Sequence, residues 1–162
     1  MNLGLSIPKT KFEKALDILS VILLCGTFLY VFYMWGDLPE KIPSHFDGSG
    51  TPDAWNGKES IWILPIIGLI IFFLLYMLCK APHLFNYPYN VPEEKLPQLY
   101  LKGRKMLTTL NFEIIFFFAL GTWLEIQTIF GWTEGLGVWF LPSFIIILLG
   151  TIVMYIIQFR RI

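Results

Sequence analysis

Four uninterrupted apolar blocks, each about twenty residues long, leave this chain few ways to fold. They run over about 16–35, 61–79, 106–130 and 137–159. A helix of that length spans a hydrocarbon core of roughly 30 Å. Inside a bilayer only helices and closed barrels satisfy the backbone, and runs without in–out alternation are not barrel strands. The expectation is an all-α integral membrane protein with four transmembrane helices, a single four-helix membrane domain over 1–162. The charged fraction of 15% agrees, since a soluble domain is nearer a quarter charged. Net charge is zero and there is no basic cluster, which excludes a nucleic-acid partner. The lipid bilayer is the partner that composition dictates.

Lysine and arginine set the expected orientation. Ten of the 12 basic residues fall before the first span, between the second and third, or after the fourth: Lys9, Lys11, Lys14, Lys80, Lys95, Lys102, Arg104, Lys105, Arg160 and Arg161. The first connection holds only Lys41 and Lys58, and the third holds none. Both termini and the segment 80–105 are therefore expected on the cytoplasmic side. Trp35, Trp62, Trp132 and Trp139 then mark the outer interface. Cys25 and Cys79 stand apart from any CxxC pair, so a metal–thiolate site is not expected. The first block is too long for a cleavable signal and lacks an Ala-x-Ala site.

The two long connections differ in character. In segment 80–105, Pro82, Pro88, Pro92 and Pro97 forbid a continuous helix across the first half. From Gln98 the pattern becomes helical and leads straight into the third span. The outer loop, 36–60, carries Pro39, Pro43 and Pro52, which fix φ, and Gly48, Gly50 and Gly57, which permit positive φ. With Phe46 and Trp55 as aromatic anchors, the loop is expected to fold as a cap on the outer helix ends.

His45, Asp47 and Asp53 are the loop side chains able to carry chemistry. Imidazole and carboxylates this close could ligate a divalent metal. An EF-hand is excluded, because its bidentate glutamate position is occupied by Lys58. The alternative needs no ion: each aspartate bonds nearby amides in an Asx turn, and His45 fastens the loop to a carbonyl or a carboxylate.

The stretch Leu38-Pro-Glu-Lys-Ile-Pro-Ser-His45, then Phe46-Asp-Gly-Ser-Gly-Thr-Pro-Asp53-Ala-Trp55, Lys58 and the early Pro65 of the next span carry a resemblance. They resemble a bacterial membrane domain of unknown function that also opens the SdpI-type immunity proteins. The resemblance continues in Asn86-Tyr-Pro-Tyr-Asn90 and the Leu-Tyr…Arg-Lys run entering the third span. It implies a multi-pass protein of the bacterial plasma membrane. SdpI-type proteins protect bacilli from a secreted sporulation-delaying toxin, and in them further spans follow this domain.

The third span alone holds charge in its interior, at Glu113 and Glu125. An ionisable group at membrane depth is a functional candidate by default. The two lie about 18 Å apart along a helix, too far to act as one pair. Glu125 is at the depth of the loop and is expected to meet His45 or Lys58. Glu113, near Asn111, is expected to bond a neighbouring helix or to reach towards Arg104 and Lys105. Gly26, Gly68, Gly121 and Gly150 are expected to let helices approach closely.

Three functions fit these residues. The first is a binding or regulatory module that recognises an extracellular peptide or other ligand through the acidic loop. The second is a metal- or proton-dependent enzyme or transporter using His45 and Glu125, although no catalytic motif such as HExxH is present. The third is a structural subunit packed against a larger membrane-protein partner.

Overall fold

The computed structural model describes residues 7–86 and 92–161. Tyr87–Asn90 of the resemblance, with Pro88, lie outside the described residues. Four helices are long and apolar enough to cross a membrane. They are α1 (Lys11–Met34), α2 (Ile63–Leu78, of spanning length together with the turn before it), α3 (Leu96–Ile129) and α4 (Phe140–Phe159). Between α1 and α2 lies an antiparallel hairpin, β1 (Lys41–Phe46) and β2 (Pro52–Gly57), followed by a 3-10 turn, Lys58–Trp62.

α3 is the central element and packs against each of the other three helices. It starts at Leu96, so the stretch from Gln98 runs straight into the third span as expected, and its 34 residues would be about 51 Å long. That exceeds the bilayer core, so the turn carrying Lys102, Arg104 and Lys105 is a helical extension beyond the apolar stretch. Pro97 does not interrupt it, because a proline in the first turn forfeits no hydrogen bond. α4 begins at Phe140 rather than 137, since Gly137 has φ +82°.

Apolar side chains such as Phe32, Tyr33, Ile146 and Leu149 face outward, towards the lipid. Between helices, lipid offers no hydrophobic incentive, so association depends on close packing and polar contacts. Gly68 lies against Phe118, Ile115 and Leu24, and Gly121 against Phe140 and Leu64. Gly26 and Gly150 do not serve this role. Nothing lies within 4 Å of where their Cβ would be, since both face away from the bundle.

One end of the bundle gathers the start of α1, the end of α2, the start of α3 and the end of α4. Arg104 is its centre and is 5% exposed. Its Nε donates to Glu13 Oε1 (2.6 Å) and its Nη2 to Glu13 Oε2 (3.2 Å). Nη1 and Nη2 also reach the carbonyls of Ile7 (2.7 Å) and Pro8 (2.9 Å). Glu13 is fully buried and also accepts from the Thr10 amide and hydroxyl, both at 2.7 Å, in a capping box. The first span was expected to start after Glu13. The Thr10-x-x-Glu13 pattern, a capping-box signature, was the signal for the earlier start. Beside it Lys9 pairs with Asp17 and lies 4.1 Å from the Tyr76 ring centre. Lys102 donates to the Gln158 carbonyl near the end of α4 (2.7 Å).

Removing one partner of a buried pair leaves an uncompensated charge, which costs about 3–5 kcal/mol. Glu13→Gln and Arg104→Met should each lower stability by that amount in thermal unfolding of the detergent-solubilised protein. The double variant should lose less than the sum of the two.

Candidate functional site

The opposite end of the bundle carries the hairpin. Its footing is apolar: Leu38 and Ile42 are buried with Val31, Met34, Ile61 and Ile126. Pro43 pairs with Trp55 in the register and is buried. The register slips between Pro43 and His45, so one extra residue bulges from β1 at Ser44. A bulge re-aims the side chains that follow it. Here it accompanies an exposed His45, whose Nδ1 lies 2.5 Å from Asp53 Oδ1 on β2. The pair fastens the strands together, as one of the two readings of the loop expected.

Asp47 closes the hairpin tip by itself. Its Oδ1 accepts from the Ser49 hydroxyl (2.6 Å), the Ser49 amide (2.8 Å) and the Thr51 amide (3.0 Å). The Ser49 hydroxyl bond, followed by the Thr51 amide, holds the Asp47 carboxyl below the usual aspartate range. Among the described residues no three His, Cys, Asp or Glu side chains gather as metal ligands would.

Of Gly48, Gly50 and Gly57, only Gly50 uses positive φ, at +79°. A Cβ there would stand 2.6 Å from the Gly137 nitrogen, and a Cβ on Gly135 would collide with the Gly50 carbonyl oxygen. That oxygen accepts from the Leu136 amide at 2.8 Å. The tip is therefore docked, backbone against backbone, on the connection between α3 and α4. The cleft beside this contact, about 230 Å³, is lined by Ser49, Thr51, Glu134 and Val138. At the hairpin base Lys58 reaches Glu40 Oε1 (3.2 Å) and lies 5.3 Å from the ring centre of Trp35, whose ring packs at a tilt against Trp62.

Some expectations are corrected. Trp55 is no anchor: it is 58% exposed, because β2 lies on the outside of the hairpin and only Pro52 in it is partly covered. Pro39 is exposed, whereas Phe46 and Pro52 are half-buried. Glu125 meets neither His45 nor Lys58, since those side chains are held by Asp53 and Glu40. It is 6% exposed and has no hydrogen-bond or ion-pair partner among the described residues. Glu113 takes the first of its two expected routes, with Thr151 of α4 donating to its Oε1 at 2.5 Å. Arg104 is committed to Glu13 instead. Asn111 donates to the Phe72 carbonyl of α2 at 3.2 Å. Thr151 escaped sequence reasoning, because a lone threonine in an apolar helix carries no signal of its partner.

Comparison with known proteins finds one family model and two partial relatives. The family described as a domain of unknown function (DUF1648) matches residues 22–69, which take in most of α1, the hairpin and the start of α2. An uncharacterized protein of Archaeoglobus fulgidus is 37% identical over 67 residues, 41% of this chain and 36% of the relative. The immunity protein SdpI of Bacillus subtilis is 32% identical over 62 residues, 38% of this chain and 30% of the relative. The chain thus spans about a third of the length of these curated relatives. No solved structure matches it. Together the matches support an SdpI-like membrane domain within an uncharacterised multi-pass membrane protein.

Gly50→Ala should undock the tip, and faster hydrogen exchange at the Leu136 amide would report it. The Asp47 turn has its own pH signature. A carboxyl whose folded pKa lies below its ordinary 3.8 stabilises the turn above that pH. The stabilisation is lost as pH falls through the lowered value. Exchange at the Ser49 and Thr51 amides should accelerate in that acid window, and Asp47→Asn should abolish the pH dependence.

Proposed function

We propose that this chain is a binding module of the bacterial plasma membrane, with both termini cytoplasmic and the hairpin end facing outward. In this reading residues 1–162 form one four-helix domain, and the hairpin recognises an extracellular peptide. The distribution of lysine and arginine supports the orientation. The similarity to an immunity protein supports a role in recognising a toxic or signalling peptide.

One observation carries the reading. The hairpin is fixed at its base by buried Ile42 and at its tip by the Gly50 carbonyl, yet β2 stays exposed from Asp53 to Gly57. A rigid, exposed edge strand with an aromatic side chain is a surface on which an extended peptide can add. Its charge selects a basic partner. Glu40 is paired with Lys58 and Asp53 with His45, while Asp37, Asp47, Glu59 and Glu134 stay exposed at the same end with Lys41 as the opposing charge.

Replacing Asp47, Asp53 and Glu134 together by Asn, Asn and Gln should weaken binding of cationic peptides by roughly tenfold, as three exposed charges imply. Cells expressing the wild-type chain should survive such peptides better than cells expressing the triple variant at equal membrane levels. Equal survival would remove the proposal.

A further inference from the structure

A polar seam runs along the α3–α4 contact inside the apolar bundle, away from the hairpin. At the end that gathers the termini it opens onto a pocket of about 330 Å³, lined by Phe12, Gln98, Lys102, Lys105, Tyr155 and Gln158. A pocket of this size and polarity can hold water. Tyr155 is its inner wall, and its hydroxyl lies 3.4 Å from Thr109 Oγ1. Thr109 spends its own proton on the Lys105 carbonyl (2.9 Å), so Tyr155 is the donor in that contact. One helical turn further along each helix stand Glu113 and Thr151, joined through Glu113 Oε1. The other carboxyl oxygen, Oε2, is buried and has no hydrogen-bond partner.

We propose that Glu113 is a proton-binding site within the bundle, reached from this pocket through the hydroxyls of Tyr155 and Thr109. A carboxylate at this depth needs a counter-charge, a metal or a proton. The seam supplies no cation. Lys102 is held by the Gln158 carbonyl, and Lys105 lies two turns away at the pocket. Arg104 is engaged by Glu13 and the N-terminal carbonyls, and Lys9 by Asp17. From α2 the one titratable side chain is Tyr76, stacked on Phe72, and from α4 it is Tyr155. No acid or histidine lies beside Glu113 to make a metal site among the described residues. A proton is the remaining ligand, and the free Oε2 is where it binds.

The chemistry is a proton relay. A hydronium ion in the pocket becomes water as it protonates the Tyr155 oxygen, and Tyr155 releases its own proton to Thr109. Thr109 turns its proton from the Lys105 carbonyl to a bridging water, and that water gives one to Oε2. Each O–H bond formed matches one broken, and the carboxylate charge is neutralised. The last step, from Thr109 to Glu113, covers one helical turn, roughly 5–6 Å between Cβ atoms, a gap that one water can bridge. The Thr151 bond stays in place in both states and keeps α3 and α4 in register.

Infrared spectroscopy of the purified chain in lipid vesicles, titrated with pH in H₂O and D₂O, tests this. Glu125 is a second carboxyl at membrane depth, unpaired among the described residues, so the Glu113 band is read without it. A protonated-carboxyl C=O band that titrates should be present in Glu125→Gln and absent in the double variant Glu113→Gln/Glu125→Gln. Thr151→Val should move the band to higher frequency, because it loses its hydrogen bond. Tyr155→Phe should slow its H/D exchange severalfold while the far-UV circular dichroism stays unchanged. A spectrum unaltered by Glu113→Gln would overturn the site. Exchange at the wild-type rate in Tyr155→Phe would overturn the route, and that variant should fold even if Glu113→Gln does not.

Discussion

A guanidinium surrounded by apolar helices has no water to fall back on, so each of its donors must find an acceptor in the protein. Arg104 finds four of them on a single neighbouring segment: both oxygens of Glu13 and two carbonyls just before α1. This fixes where α1 begins and how deep α3 sits beside it. Because α3 contacts all the other helices, its placement propagates through the bundle. Glu13 reaches Arg104 only because the capping box with Thr10 turns its carboxylate back over the helix start. Local capping and long-range ion pairing are here the same side chain.

The two ends of the bundle are built on different principles. The end with the termini is held by charge and hydroxyl contacts: Glu13 with Arg104, Lys9 with Asp17, Lys102 on the Gln158 carbonyl, and Cys79 beside Thr108. The hairpin end is held by packed aromatics and by backbone meeting backbone at Gly50, where no side chain fits. Such a contact positions the hairpin tip without covering β2. The exposed strand is therefore a consequence of how the hairpin is anchored rather than of looseness.

Two buried carboxyls on α3 show how far environment decides chemistry. Glu113 and Glu125 look alike in sequence, each a single acid within an apolar run. One has a hydroxyl partner across the helix contact and a polar path to a pocket. The other is enclosed without a partner among the described residues. The pairing of Glu113 required Thr151 to fall at the same height on α4, which depends on the relative register of two helices and not on either one alone.

The sequence by itself determined the four helices, because apolar length and the need to satisfy every backbone group leave one solution in lipid. It also determined that residues 36–60 would be shaped by turns, through its prolines, glycines and Asx residues. Tertiary structure decided the rest. Whether His45 would face a metal, Glu125 or Asp53 turned on a one-residue bulge at Ser44. Whether Trp55 would be buried turned on which strand lay outward. Whether Arg104 would snorkel or be buried turned on a glutamate 91 residues away. Each was settled by how separate elements meet, and periodicity and composition carry no information about such contacts.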